Sequence, residues 1–144
     1  MGIKSVKLGY NVSIVNPVNL YGCVLGDNVK IGPFVEIQKN VTVGKRTKIS
    51  SHSFLCEGVT LGNDCFIAHG VMFINDIFSD SENVSDWKLR KTTIGNNVRI
   101  GSNAPILPVS IGDNAIIGAG SVVTGDVIAN TTVCGNPARE LQKV

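Results

Sequence analysis

Residues 25–73 read LGDNVK IGPFVE IQKNVT VGKRTK ISSHSF LCEGVT LGNDCF IAHGVM F, and set out in sixes the stretch aligns with itself. An aliphatic or aromatic side chain opens every hexad: Leu25, Ile31, Ile37, Val43, Ile49, Leu55, Leu61, Ile67 and Phe73. Two residues ahead of each stands a small or β-branched one: Cys23, Val29, Val35, Val41, Thr47, Ser53, Val59, Cys65 and Val71. Residues two apart in a strand point the same way, so each hexad supplies one inward pair. Glycine often follows the opening aliphatic, as at Gly26, Gly32, Gly44 and Gly62, where a tight corner needs it.

Each hexad is therefore one short strand plus a corner, and three hexads close a triangular coil whose backbone bonds to the coils above and below. The expected fold is all-β: a single-stranded left-handed parallel β-helix of about six coils. The register extends back through Leu8, Ile14 and Leu20 and forward through Ile94, Ile100, Ile106, Ile111, Ile117 and Val123. Steps of five at 20–25 and 106–111 are one-residue deletions at corners. Residues 74–91, INDIFSDSENVSDWKLRK, break the period and read as a polar loop thrown out from one corner. The tail leaves the repeat at Gly135-Asn136-Pro137 and is expected to form a short cap, opening a short helix, over an otherwise bare edge.

With 144 residues, 43% of them hydrophobic, the chain buries one core, and residues 1–144 are read as a single domain. The formal charge of +2 comes from 13 basic and 11 acidic residues in scattered groups, so nucleic acid and membranes are not expected partners. Neither a signal peptide nor a spanning apolar run is present, which places the protein in the cytoplasm, with Cys23, Cys56, Cys65 and Cys134 as reduced structural thiols.

Because equivalent positions of successive coils stack at about 4.8 Å, the register is a map of side-chain neighbours. One corner column runs Ser51, His69, Ser102 and Ala119, with His52 beside Ser51. Another runs Lys39, Glu57 and Asn75, where the loop opens. Both histidines fall on one corner, level with the loop, and Asn75 and Asp76 are expected beside them. The residues alone leave this constellation open between solvated turn positions, a polar ladder and a substrate site. A metal site is not expected, since zinc generally takes three or more protein ligands and no third histidine exists.

The segments NLYGC, GPFVEIQKN, SSH, CEGV, HGV and FIND together resemble the hexapeptide-repeat N-acetyltransferases that act on nucleotide-linked amino sugars for bacterial surface polysaccharides. The resemblance runs over nearly the whole chain. It implies a homotrimer with sites between subunits, acetyl-CoA as co-substrate and a nucleotide-linked amino sugar as acceptor. By the same resemblance His69, Asn75 and Asp76 are the catalytic candidates, and Glu36, Lys39, His52 and Glu57 bind the sugar nucleotide. The pantetheine arm would pass Ser102, Asn103, Ala119 and Gly120, with the nucleotide end of acetyl-CoA near Pro137 and Arg139. The chain departs from the pattern after Asp76, where Ile77-Phe78-Ser79-Asp80 replaces a Tyr-Pro-Arg-like continuation. Two roles stand open for His69, proton acceptor or positioning group. An O-acetyltransferase on a sugar or other small hydroxy compound is the alternative activity, and a non-enzymatic binding module is the third reading.

Overall fold

The computed structural model describes residues 2–78 and 88–141, and these wind as a left-handed, three-sided coil of short parallel strands. The first face stacks β1 (Gly2–Lys4), β4 (Asn19–Tyr21), β7 (Glu36–Ile37), β10 (Phe54–Leu55), β13 (Met72–Phe73) and β16 (Pro105–Ile106). The second stacks β2 (Lys7–Leu8), β5 (Val24–Leu25), β8 (Thr42–Val43), β11 (Val59–Leu61), β14 (Thr92–Ile94) and β17 (Ser110–Ile111). On the third lie β3 (Ser13–Ile14), β6 (Lys30–Ile31), β9 (Lys48–Ile49), β12 (Phe66–Ile67), β15 (Arg99–Ile100), β18 (Ile116–Ile117) and β19 (Thr132–Cys134). The final strand, β20 (Arg139–Glu140), pairs antiparallel with β19.

The register is the one the hexads dictate. Leu20 pairs with Ile37, Ile37 with Leu55, and Phe73 with Ile106, so key aliphatics pile up inside the prism. Leu20, Ile37, Leu55, Ile67 and Ile106 have no solvent exposure at all. Burying each such side chain is worth about 1.5–3 kcal/mol. Both five-residue steps fall between the first and second faces, from β4 to β5 and from β16 to β17.

The expected coil number needs correction. Six coils carry strands on all three faces, and a seventh continues through the bridges Ile106–Val123 and Ile111–Val127 into β19, so the prism has about seven turns. The last coil escaped the periodicity because its inward residues, Val123, Val127 and Val133, are unevenly spaced. The expected capping helix is also absent among the described residues. Instead the chain turns at 135–138 and β20 covers the edge of β19, with Leu141 N–H donating to the Thr132 carbonyl at 2.8 Å. An antiparallel partner satisfies the open edge of β19 directly.

Corners hold by left-handed residues. Between the third and first faces these are Phe34, His52, Gly70, Asn103 and Gly120, with φ of 62–68°. Between the second and third faces the same role falls largely to asparagine, whose amides ladder from Asn11 to Asn28 at 3.0 Å and from Asn97 to Asn114 at 2.8 Å. The long interruption after β13 leaves from the corner between the first and second faces. Of it, residues 79–87 lie outside the described residues. The returning strand β14 takes up the second face again, with Thr92 N–H donating to the Gly58 carbonyl at 3.2 Å. Among the described residues no helix is long and apolar enough to cross a membrane.

Candidate active site

Hydrogen bonds between coils fix which candidates share a corner. Gly70 N–H donates to the Ser51 carbonyl at 3.0 Å, Asn103 N–H to the His69 carbonyl at 2.9 Å, and Gly120 N–H to the Ser102 carbonyl at 2.8 Å. The column Ser51, His69, Ser102, Ala119 therefore stands where the hexad register puts it, at the corner between the third and first faces. Within it the Ser51 hydroxyl lies 2.9 Å from Nδ1 of the exposed His69. Gly70 beside His69 has φ +66°, and a Cβ there would stand 2.5 Å from Oδ1 of Asn103.

His52 is on the same corner but is engaged one coil earlier. Its ring stacks on Phe34 with centroids 5.0 Å apart and planes inclined by 29°. Register explains this, since Phe34 and His52 hold the same left-handed corner position. Sequence reasoning named neither Ser51 nor Phe34 as a site residue, although the eighteen-residue spacing of each from its histidine was available.

Asn75 and Asp76 are not beside the histidine corner, contrary to the expectation. They lie on the same coil as His69, but β13 crosses the whole first face between them, so they belong to the corner between the first and second faces. Six residues of extended chain span at most about 20 Å. Asn75 Nδ2 donates to the Glu57 carbonyl at 3.0 Å, Asn40 Nδ2 donates to Oε1 of Glu57 at 3.1 Å, and Glu57 N–H donates to Oε1 of Gln38 at 3.0 Å. Lys39 and Asp76 are exposed at this corner and Asn75 is half-buried. Glu36 lies on the first face itself, its Oε1 accepting from Nδ2 of Asn19 at 2.8 Å. One chain thus carries the candidates as two half-sets at opposite edges of one face.

That face differs from the other two. Its outward column runs Asn19, Glu36, Phe54, Met72 and Pro105, and Met72 is 42% and the neighbouring corner residue Phe34 57% exposed. The second face presents Lys7, Val24, Thr42, Thr60, Thr93 and Ser110, and the third Lys30, Lys48, Phe66, Arg99 and Ile116, so their exposed apolar side chains stand among polar or charged ones.

Beyond His69 the histidine corner bears only small side chains. Ser102 is half-buried and Asn103, Ala119 and Gly120 are exposed, leaving a strip free of bulk on which a thin, chain-like ligand can lie. The tail crosses the end of this strip: Gly135 N–H donates to Oγ of Ser121 at 3.2 Å and Ala138 N–H to the Val122 carbonyl at 2.8 Å. Pro137 is therefore at the strip's end. Arg139 has already turned back along β19 and lines a depression at the end of the prism with Asp126, Val133 and Glu140.

Beneath the loop corner the buried Cys56 thiol is pushed up to about 11, chiefly by burial, with the charges of Asp76 and Glu57 adding to it. It is a neutral wall of the corner and no nucleophile near neutral pH.

The repeat matches two family descriptions: residues 22–57 match "Bacterial transferase hexapeptide (six repeats)" and residues 91–125 match "Hexapeptide repeat of succinyl-transferase". Among curated proteins the bifunctional protein GlmU of Caldicellulosiruptor saccharolyticus is 38% identical over 120 residues, 83% of this chain but 23% of its own length. That of Psychrobacter arcticus is 40% identical over 121 residues, 83% of this chain and 24% of its own length. The chain thus spans about a quarter of the curated relatives it matches. Among solved structures, a point mutant of AntD, an N-acyltransferase from Bacillus cereus crystallised with dTDP and coenzyme A, superposes with a TM-score of 0.84 at 23% identity, over 99% of this chain and 84% of its own. Serine acetyltransferase of Neisseria gonorrhoeae superposes with a TM-score of 0.64 at 35% identity, over 75% of this chain and 41% of its own. The hexad register, the stacked corners and these matches agree: the chain carries the hexapeptide repeat of bacterial transferases.

Proposed function

We propose that this chain is the subunit of a homotrimeric acetyltransferase that moves an acetyl group from acetyl-CoA to the amino group of a nucleotide-linked amino sugar. The observation that carries the reading is the division of the candidates between two edges of one face, whose middle coils present Phe54, Met72 and Pro105 in succession. Turning the first faces of three copies toward a threefold axis covers Phe54 and Met72. It also brings the His69 corner of each copy against the Asn75 corner of the next. Three composite sites result, one per interface.

In each site the strip at Ser102, Asn103, Ala119 and Gly120 holds the pantetheine arm of acetyl-CoA, with Pro137 and Arg139 toward its nucleotide end, and leads the thioester to His69. The Asn75 corner of the adjoining copy, with the Asp76 carboxylate, orients the acceptor amine, while Glu36, Lys39, His52 and Glu57 border the sugar nucleotide. The amine nitrogen bonds to the acyl carbon, the carbon–sulfur bond breaks, and the proton lost by nitrogen ends on the departing thiolate. Holding the two reactants in line supplies much of the acceleration. The description of AntD as an N-acyltransferase crystallised with dTDP and coenzyme A supports both the donor and the acceptor class. Use of the product in surface polysaccharides belongs to the same proposal, on the strength of the family resemblance.

The 35% identity to a serine acetyltransferase keeps O-acetylation as a second reading. Thiol release from acetyl-CoA with a panel of amino and hydroxy nucleotide sugars separates the two. Release is expected with an amino sugar nucleotide; release only with hydroxy acceptors would favour the second reading, and release with none would remove the enzymatic one.

A further inference from the structure

We infer that Ser51 sets the tautomer of His69, so that His69 meets the thioester as an Nε2–H donor and does not act as a base. The inference rests on the placement of His69 at the acetyl-transfer site proposed above.

The buried hydroxyls of Thr47 and Ser53 are tied to the next coil through carbonyls, whereas that of Ser50 meets no partner. Thr47 Oγ1 donates to the Gly62 carbonyl at 2.8 Å and accepts from Cys65 N–H at 3.1 Å. Ser53 Oγ donates to the Ala68 carbonyl at 2.9 Å and accepts from Val71 N–H at 3.2 Å. Ser51 differs. Among the described residues its hydroxyl meets one protein partner, Nδ1 of His69 at 2.9 Å, and no carbonyl. Its single proton is best used on that nitrogen, while its lone pairs face solvent at a half-buried site. If Nδ1 carried the proton instead, Ser51 would have to accept and its own hydrogen would find no protein acceptor.

A neutral imidazole that accepts at Nδ1 bears its hydrogen at Nε2, and the nitrogen left to face a substrate then has no lone pair to offer a proton. It has an N–H. Such a donor suits the thioester carbonyl oxygen as that oxygen gains negative charge, and a single donor of this kind is worth about 10²–10³-fold in rate. Proton balance closes without a base, because the attacking amine's proton is taken by the departing thiolate. Protonating His69 keeps Nε2–H in place, so the role survives where a base would be lost. Ser51 is a positioning residue, acting only through the ring.

The test begins without substrate. In protein labelled with ¹⁵N-histidine, with resonances assigned by a His52→Asn variant, the neutral His69 ring is expected to show a bare Nδ1 and a protonated Nε2. Ser51→Ala is expected to return it toward the exchanging mixture of free imidazole, and Ser51→Thr to preserve the wild-type pattern. In kinetics, His69→Gln offers an N–H but no basic nitrogen and should keep kcat within about tenfold of wild type, while His69→Ala loses about 10²–10³-fold. A wild-type ring protonated at Nδ1, or a His69→Gln enzyme as slow as His69→Ala, would overturn the inference. Normal kcat in His69→Ala would instead overturn the placement of His69 at the thioester, and the donor role with it. The ring resonances, read with no substrate, keep that failure distinct from a wrong tautomer.

Discussion

His69 and Asn75 sit on one coil of the prism yet on opposite corners, with β13 (Met72–Phe73) laid across the face between them. The hydrogen bonds of the two residues run along different columns, His69 to Ser51 and Asn75 to Glu57. Chemistry that needs both side chains must therefore draw them from two copies of the chain.

Gly70 anchors the histidine corner by backbone conformation. Gly70→Ala places a Cβ at φ +66° and 2.5 Å from Oδ1 of Asn103. Asn103 can swing away, so the backbone term dominates, and the urea midpoint should fall by the equivalent of about 1–2 kcal/mol. Repeating the substitution on an Asn103→Ala background removes only the steric part. Complete recovery there would contradict a backbone origin.

The Arg46–Asp64 pair joins two coils through bonds of 2.7 and 3.0 Å. The Arg46 guanidinium holds the Asp64 carboxyl below its ordinary value. A depressed folded-state value means that the pair stabilises above the unfolded carboxyl's titration and loses its effect as pH falls through the folded one. Melting of wild type against Asp64→Asn should show a small difference at neutral pH, because both groups are exposed, closing as the solution becomes acidic. A difference that widened in acid would contradict the assignment.

The cysteines test how closed the prism is. Burial pushes both Cys23 and Cys56 up to about 11. At pH 8 only roughly one thiol in a thousand at these positions is then thiolate, and access is blocked as well. Titration with a chromogenic disulfide should find these two unreactive until denaturant is added. Prompt modification of Cys56 in the native protein would mean that the loop corner opens readily.

How much of this was legible in sequence varies with distance from the hexads. Leu25 to Phe73 fixed face, interior and corner because every residue's direction follows from a period of six. The same period put Ser51 beneath His69 and Phe34 beneath His52, since stacking is a matter of counting eighteen. Counting put His69 and Asn75 in different corner columns but not how far apart those columns stand, because the width of the face that β13 crosses is not written in the period. The tail escaped for a different reason. Residues 135–141 pair back onto β19, and nothing periodic marks a strand that runs against all the others.

The composite site is tested most directly by mixing subunits. Let one variant carry His69→Ala and the other both Asn75→Ala and Asp76→Ala, each alone being inactive or nearly so. Co-expressed in equal amounts under different tags, they assemble at random. A composite site is intact when an Asn75/Asp76 variant supplies His69 and a His69 variant supplies the neighbouring corner. That arises at about one interface in four in a cyclic trimer. Acetyl transfer near a quarter of the wild-type rate is the expected result, and a mixture no more active than its separate components would contradict a site shared between copies.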